Sequence, residues 1–190
     1  MLVIGFGANL VGVWSDYQQI NLIQGTVYEV DARLNDARPR TVSRMIAGVF
    51  VITSLLYLRW LRCLARNCVG LGAKGMRYSV GQSIGYYFVP FAHFFIPYRA
   101  MLEILKVSND PTDWKSYKEH SLVDGWWTLW IISQIAFAVA AKVSKSANSI
   151  PALRTATWYD FGGGLVFALA HILLIALVAQ LSNKQEALVY

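Results

Sequence analysis

Two histidines are the residues of this sequence best placed to do chemistry inside a membrane. His171 falls near the middle of the last long apolar stretch, and His93 falls between Pro90 and Pro97. Ionisable side chains within a bilayer are energetically expensive and often functional, and a pair of imidazoles can ligate a haem iron. Haem ligation by His93 and His171 is therefore one hypothesis. The favoured alternative is that both are hydrogen-bonded packing residues.

Three arginines form the second group with possible chemistry. Arg59, Arg62 and Arg66 recur at helical spacing, so they share one face of a helix. Such a stripe can bind an acidic lipid head group or an acidic partner. The favoured alternative is that the side chains snorkel to the cytoplasmic interface of the membrane.

No pattern in the sequence predicts an enzyme, a metal site or a bound cofactor. Cys63 and Cys68 are five residues apart with no histidine nearby, which predicts unpaired structural thiols rather than a zinc site. The sequence contains no glycine-rich phosphate loop ending in Lys and Ser or Thr, no HExxH and no nucleophile elbow. A catalytic site is therefore not predicted.

The elements that position these residues are long apolar helices. The chain of 190 residues is 56% hydrophobic and only 15% charged, whereas a soluble domain carries about a quarter charged residues. A helix that crosses a bilayer needs about 20 apolar residues. The sequence predicts an all-α polytopic protein, a single integral membrane domain over 1–190. Its four membrane helices are predicted near residues 1–23, 41–66, 122–142 and 158–181. Residues 26–44 are predicted to form a loop or a short surface helix, and 144–157 a polar loop.

A proline-containing stretch, 79–107, separates the second and third predicted membrane helices. Its prolines and glycines predict a bent segment that is re-entrant or lies at the interface. Residues 98–107 form an amphipathic pattern typical of a helix on a membrane surface. If the bent part does not cross, ten Lys and Arg lie on one side of the membrane and seven on the other. That bias favours a re-entrant segment and places both termini in the cytoplasm.

Four sequence blocks resemble a bacterial membrane family catalogued as domain of unknown function 4328. They are YLRWLR from Tyr57, GYYFVP from Gly85, FIPYRAMLEI from Phe95 and GWWTLW from Gly125. The similar region runs from residue 57 to about 133. The family tends to have an asparagine-like residue where His93 stands, and a longer first membrane helix. The resemblance implies a membrane protein of several helices without an established activity.

The aromatic residues favour contact with lipids and with other membrane proteins. Aromatics make up 14% of the chain, and many fall at predicted membrane interfaces. The predicted contact residues, beside the three arginines, are Tyr86, Tyr87, Phe88, Trp126, Trp127 and Trp130. The net charge of +6 is carried at the ends of apolar segments, which suits membrane orientation rather than nucleic-acid binding.

The resulting functional prediction is a non-catalytic accessory or scaffolding subunit of a larger complex in the bacterial inner membrane. Its partners are predicted to be membrane lipids and other integral membrane subunits. Two alternatives stay open at this point. One is a small homo-oligomeric channel or transporter built around the bent segment, and the other is a haem-binding electron-transfer protein that uses His93 and His171.

Overall fold

The computed structural model describes the backbone of residues 1–24 and 29–189 and, outside 24–40 and 189, their side chains. Every regular element in this part of the chain is helical, as predicted. The α-helices are α1 Leu2–Gln24, α2 Glu29–Gly70, α3 Val80–Gly85, α4 Ile96–Asn109, α5 Ser121–Ser146 and α6 Ile150–Val189. Two short 3-10 turns, Tyr86–Phe88 and Ala92–Phe94, connect α3 to α4.

Three of these helices are long and apolar enough to cross a membrane. The qualifying stretches are Thr41–Gly70, Ser121–Ser146 and Ile150–Leu188. A fourth crossing is possible only if the pair Val80–Phe88 and Ala92–Asn109, bent by 116°, counts as one span. Helix α1 is not among the qualifying helices, so a membrane crossing near 1–23 stays a prediction. The structure confirms an all-helical protein with three or four candidate membrane spans.

The two predicted polar stretches are largely helical in the described structure, which for 26–44 agrees with the helix alternative and for 144–157 makes the predicted loop too long. Helix α2 is already formed at Glu29, so of the connection near 26–44 only 26–28 lies outside the described residues. Residues 147–149 alone separate α5 from α6, where a connection over 144–157 was predicted. Pro151 falls inside the predicted loop, but it stands in the first turn of α6, where a helix needs no backbone N–H donor.

Helix α4 matches the predicted amphipathic stretch, and its apolar face is buried. Met101, Ile104 and Leu105 are all at most 3% exposed. Pro97 stands in the first turn of α4, where proline is well tolerated. The buried face packs on protein, and a location on the membrane surface stays a prediction.

The described chain forms two compact units. The first consists of Met1–Thr53 and Thr128–Ile172, and the second of Ser54–Trp127 and Leu173–Tyr190. Helices α2, α5 and α6 each supply residues to both units. The prediction of a single membrane domain stays a prediction.

The first unit is held together by helices that approach closely at glycines. A Cβ added at Gly164 of α6 would lie 2.7 Å from Val13 Cγ2 of α1, and one at Gly12 would lie 2.9 Å from Ile46 Cδ1 of α2. A Cβ at Gly163 would lie 3.0 Å from atoms of α5. Small residues of this kind let membrane helices pack backbone to backbone, which is how helices associate when lipid is as apolar as their side chains.

The second unit has a core of aliphatic side chains from several helices. Leu61 of α2, Ile104 of α4, Val123 of α5, and Leu177 and Leu181 of α6 are all at most 2% exposed. Polar and aromatic side chains are built into the same unit. The groups predicted from sequence to bind a partner or a lipid lie mostly in this unit.

Candidate functional site

An open groove lies between the end of α2 and α3, and we call it the arginine groove. Its lining residues are Arg62, Arg66, Val80, Gly81, Ile84 and Gly85, and they enclose about 510 Å³. Both arginines are exposed. No acidic side chain forms an ion pair with either of them within the described part of the chain. The groove therefore presents two guanidinium groups above an apolar wall.

Short-range hydrogen bonds fix α3 as the wall of this groove. Ser79 and Gln82 form a reciprocal capping box at the start of the helix. The Glu103 carboxylate of α4 accepts hydrogen bonds from the backbone N–H groups of Arg77, at 3.0 Å, and Tyr78, at 3.3 Å. These contacts tie the residues before α3 to α4, so the position of the groove wall does not depend on the six-residue helix alone.

Arg59 stands apart from the other two predicted arginines. It is exposed on α2 but does not line the groove. The helical spacing places all three arginines on one broad face, and only the packing of α3 separates Arg62 and Arg66 from Arg59. Lipid or partner contact by the three residues stays a prediction.

Gln185 of α6 is buried and is the centre of a hydrogen-bond network with residues near the ends of α2 and α4. Its amide nitrogen donates to Ser108 Oγ at 2.9 Å and lies 3.3 Å from the Leu64 carbonyl oxygen and 3.4 Å from Cys68 Sγ. Its amide oxygen accepts from Asn67 Nδ2 at 3.0 Å. Nothing in the sequence pattern identified Gln185, because its partners are remote along the chain.

The two cysteines are both free, as predicted. Cys63 is exposed and Cys68 is buried. No group of three or more His, Cys, Asp or Glu that could hold a metal ion occurs among the residues that the structure describes.

An aromatic cluster occupies the side of the second unit near the bent segment. The hydroxyl groups of Tyr57 and Tyr87 are hydrogen-bonded at 2.9 Å. The Tyr57 ring lies 6.4 Å from Trp126, which stacks edge-on with Trp127 at 5.1 Å. Trp126 and Trp127 are only 4% and 7% exposed. Their burial disfavours the predicted role as contact residues, which stays untested.

The remaining predicted aromatic contacts differ in exposure. Tyr86 and Tyr87 are half-buried, and Phe88 is exposed. Trp130 is half-buried in the first unit, where its carbonyl oxygen accepts a hydrogen bond from Ser133 Oγ at 2.7 Å. Of the predicted contact aromatics, Phe88 therefore offers the most accessible ring.

The bent segment carries three exposed phenylalanines, which we call the phenylalanine bend. Phe88, Phe91 and Phe95 are 72%, 82% and 64% exposed. Phe91 has a φ of 61°, a conformation that side chains with a Cβ rarely adopt. The Trp127 indole N–H donates to the Phe94 carbonyl oxygen at 3.0 Å and fixes the bend from inside. Sequence reasoning identified the bend but only one of its three exposed rings.

The two predicted haem ligands belong to different units. His93, in the second unit, is half-buried with its ring 3.8 Å from that of Phe94. His171, in the first unit, has Nδ1 3.1 Å from the Phe167 carbonyl oxygen. Its Nε2 lies 3.5 Å from where a Gly5 Cβ would stand. Both surroundings suit packing histidines, and the haem hypothesis stays a prediction.

A third histidine forms a polar contact at the start of α5. His120 Nδ1 lies 2.6 Å from one carboxylate oxygen of Asp124, and the Tyr98 hydroxyl donates to the other oxygen at 2.6 Å. Asp124 stands in the first turn of α5, where a negative charge interacts favourably with the helix dipole. The arrangement fixes the start of α5 against α4, which is a structural role.

The first unit contains a groove of its own and several polar side chains along α1. The groove encloses about 450 Å³ and is lined by Ile23, Ile150, Pro151, Arg154, Thr155 and Trp158. Asn9 Oδ1 and Gln19 Oε1 are buried with no hydrogen-bond partner among the described residues. Asp16 of α1 and Asp160 of α6 are both half-buried.

Comparison with known proteins identifies a family but no characterised relative. The model of the family described as domain of unknown function (DUF4328) matches residues 24–183. No curated protein and no solved structure matches the chain. The matched region contains the arginine groove, the aromatic cluster and the phenylalanine bend. It also contains the residues of α2 and α4 that contact Gln185, while Gln185 itself lies outside it. The similarity therefore begins well before the first of the four sequence blocks.

Because the family model covers most of the chain, this helical membrane protein belongs to the family of proteins that contain the domain of unknown function DUF4328.

Proposed function

We propose that the protein is a non-catalytic accessory or scaffolding subunit of a larger complex in the bacterial inner membrane, with both termini in the cytoplasm. The observation that carries the proposal is the phenylalanine bend. Three exposed aromatic rings occur within eight residues. Buried aromatic anchors contribute much of the free energy of protein–protein association, so exposed rings on a fixed backbone suit a binding surface.

The backbone at Phe91 supports a protein partner over lipid alone. A residue with a Cβ at a φ of 61° is strained, typically by about 1 to 3 kcal/mol. Contact with lipid requires only an apolar side chain, which any unstrained conformation can supply. A strained backbone that directs one ring outward indicates that the direction of the ring matters.

The bend is also fixed before any partner arrives. The Trp127–Phe94 hydrogen bond and the Tyr57–Tyr87 hydroxyl pair hold both of its ends. A surface that is already ordered loses less conformational entropy on binding than a flexible loop does. The buried tryptophans, in this proposal, support the contact surface from behind rather than form it.

The test is native purification of the full chain in a mild detergent, followed by mass spectrometry of the intact assembly. We expect a second integral membrane protein at fixed stoichiometry. Phe91→Gly relieves the backbone strain and removes the ring, and we expect it to lower recovery of the partner by at least about tenfold. Phe50→Ala is the matched control, because Phe50 is also an exposed ring but lies on α2.

A free monomer in every mild detergent would contradict the proposal. So would a partner whose recovery is equal for the wild-type chain, Phe91→Gly and Phe50→Ala. Trp127→Phe provides a second variant: it keeps an aromatic ring but removes the hydrogen bond to Phe94, and we expect an intermediate loss of the partner.

A second candidate function, a small homo-oligomeric channel or transporter, is favoured by the polar side chains of α1. Buried amide oxygens that lack a hydrogen-bond partner among the residues the structure describes, such as Asn9 Oδ1 and Gln19 Oε1, are uncommon in a finished core. An assembly or a permeating solute would provide the missing hydrogen bonds. Flux through liposomes that is abolished by Asn9→Leu, but not by Leu10→Ala at an exposed neighbour, would favour this candidate over the first.

A further inference from the structure

We infer that Arg62 and Arg66 bind the phosphodiester of one anionic glycerophospholipid, and that an acyl chain of this lipid lies along α3 in the arginine groove. This inference does not depend on the proposed subunit function, because a lipid can occupy the groove whether or not a protein contacts the phenylalanine bend.

The charged end of the groove fits a phosphate. Arg62 and Arg66 stand one helical turn apart on α2 and line the same cavity. Neither arginine forms an ion pair or a side-chain hydrogen bond in the described structure. Guanidinium groups bind phosphate oxygens through paired N–H donors, and two of them on one cavity can surround a single phosphodiester.

The remaining wall of the groove fits a hydrocarbon chain. Val80 and Ile84 supply apolar side chains, while Gly81 and Gly85 supply no side chain on their part of the wall. A Cβ added at either glycine would meet nothing within 4 Å. The glycines therefore border open space, in contrast to the tightly packed glycines of the first unit.

The composition of the groove agrees with a lipid. Arg66 and Arg62 line it together with Val80 and Ile84, and beside the groove Tyr57 of α2 is hydrogen-bonded to Tyr87. The end of α2 and the stretch from α3 to Tyr87 therefore lie side by side, and one groove combines two cations with apolar side chains. A phospholipid likewise combines a charged head with apolar chains.

A soluble phosphate or an acidic peptide fits the groove less well. Either would satisfy the arginines, but neither would cover the apolar wall formed by α3. Arg62 and Arg66 also lie at the end of the qualifying span Thr41–Gly70. That end of a membrane helix is where lipid head groups are found, and anionic head groups attract basic side chains there.

The test measures lipid binding to the full chain in a mild detergent by native mass spectrometry. Phosphatidylglycerol and phosphatidylcholine are titrated separately, and glycerol 3-phosphate serves as the soluble probe. We expect one phosphatidylglycerol per chain, bound at least about tenfold more tightly than phosphatidylcholine, with no displacement by glycerol 3-phosphate at equal concentration.

Variants separate the groove from general interfacial charge. Arg62→Gln and Arg66→Gln should each weaken phosphatidylglycerol binding by about tenfold. Arg59→Gln removes the same charge from the same helix outside the groove, and binding should not change. Gly85→Leu should block the acyl chain while leaving both arginines in place. The melting temperature of each variant in detergent verifies that it folds.

Three results would overturn the inference. The first is equal affinity for the two lipids, and the second is an Arg59→Gln variant as weak as Arg62→Gln. The third is a site that takes glycerol 3-phosphate as tightly as lipid and is unaffected by Gly85→Leu, which would identify a free phosphate as the ligand. If a variant fails to fold, Arg62→Lys keeps the charge and should retain only part of the affinity, because an ammonium cannot form the paired donor contact.

Discussion

The two units solve the problem of helix packing in different ways. In the first unit, α1 approaches its neighbours at glycines, and amide oxygens such as Asn9 Oδ1 have no hydrogen-bond partner in the described part of the chain. In the second unit, long-range hydrogen bonds converge on Gln185. Close packing of small residues depends on shape, whereas a buried polar network depends on every member being satisfied. A single substitution should therefore change stability by a different mechanism in each unit.

The largest effect is expected from Gln185→Leu in the second unit. The change removes the hydrogen bonds from Asn67 and to Ser108 and leaves the Asn67 amide without its partner. Hydrogen bonds contribute about 0.5 to 1.5 kcal/mol each, and the Ser108 hydroxyl, which is buried, loses the donor to its oxygen and adds to the cost. We expect a loss of about 3 kcal/mol in the free energy of unfolding, measured by denaturant titration in detergent micelles.

Gln180→Leu is the matched control for this experiment. Gln180 is on the same helix and in the same unit, but it forms no hydrogen bond with another described side chain. We expect little change in stability. If both variants lose the same free energy, the network around Gln185 does not stabilise the second unit and the contrast between the units disappears.

A smaller effect is expected from Gly164→Ala in the first unit. The new Cβ would lie 2.7 Å from Val13 Cγ2, so either the Val13 side chain or the backbones of α1 and α6 must shift. Overpacking of this kind costs about 1 to 3 kcal/mol. Gly162→Ala places the same methyl group two residues earlier, in open space. It should raise stability by up to about 1 kcal/mol, because alanine favours the helix.

Thermal melts of the two alanine variants in the same detergent measure the difference. Melting temperatures that fall equally would show that helix propensity or detergent, rather than the close approach to Val13, decides the result. Such an outcome would show that close packing at glycines does not distinguish the first unit from the second.

The smallest effect is expected in the exposed turn after α4, which belongs to the second unit. The Thr112 hydroxyl, followed by the backbone N–H groups of Asp113 and Thr112, holds the pKa of Asp110 below its usual value of 3.8. A lowered folded pKa means that the carboxylate stabilises the turn above the usual pKa, and that this contribution is lost as the pH falls through the folded value.

We expect hydrogen exchange at Thr112 and Asp113 to become faster than the intrinsic pH trend predicts once the pH falls below about 3.8. Asp110→Asn should remove this pH dependence. If the turn exchanges with the same protection at every pH, the hydrogen bonds at Asp110 do not order it in solution.

The sequence alone predicted the features that depend on the local composition of the chain. The apolar stretches near 41–66, 122–142 and 158–181 correspond to the qualifying spans, because hydrophobic length decides which helices can cross a bilayer. The bend at 79–107 was predicted from its prolines, and the structure bends there by 116°. The predicted loop at 144–157 was too long, because polar residues and a first-turn proline do not prevent a helix.

Contacts between remote residues could not be predicted in the same way. Helical spacing placed Arg59, Arg62 and Arg66 together, but only the position of α3 selects Arg62 and Arg66 for the groove. The pattern of Trp126 and Trp127 predicted lipid or partner contact at the membrane interface, and it did not indicate that both rings are buried within the chain. Gln185 gave no signal, since a glutamine near the end of a helix is usually a solvated surface residue.

By itself, the sequence determined that this protein is helical and suited to a membrane, and where its spans and its bend fall. The order of apolar and polar residues fixes these features, because each segment exchanges water for lipid or protein largely on its own. Only the tertiary structure decided which polar groups satisfy one another around Gln185, and which two arginines line an open groove. The partners of Gln185 lie 77 to 121 positions from it along the chain, and the groove brings α2 against a helix that follows it after a turn. A linear pattern carries no information about such distances in space.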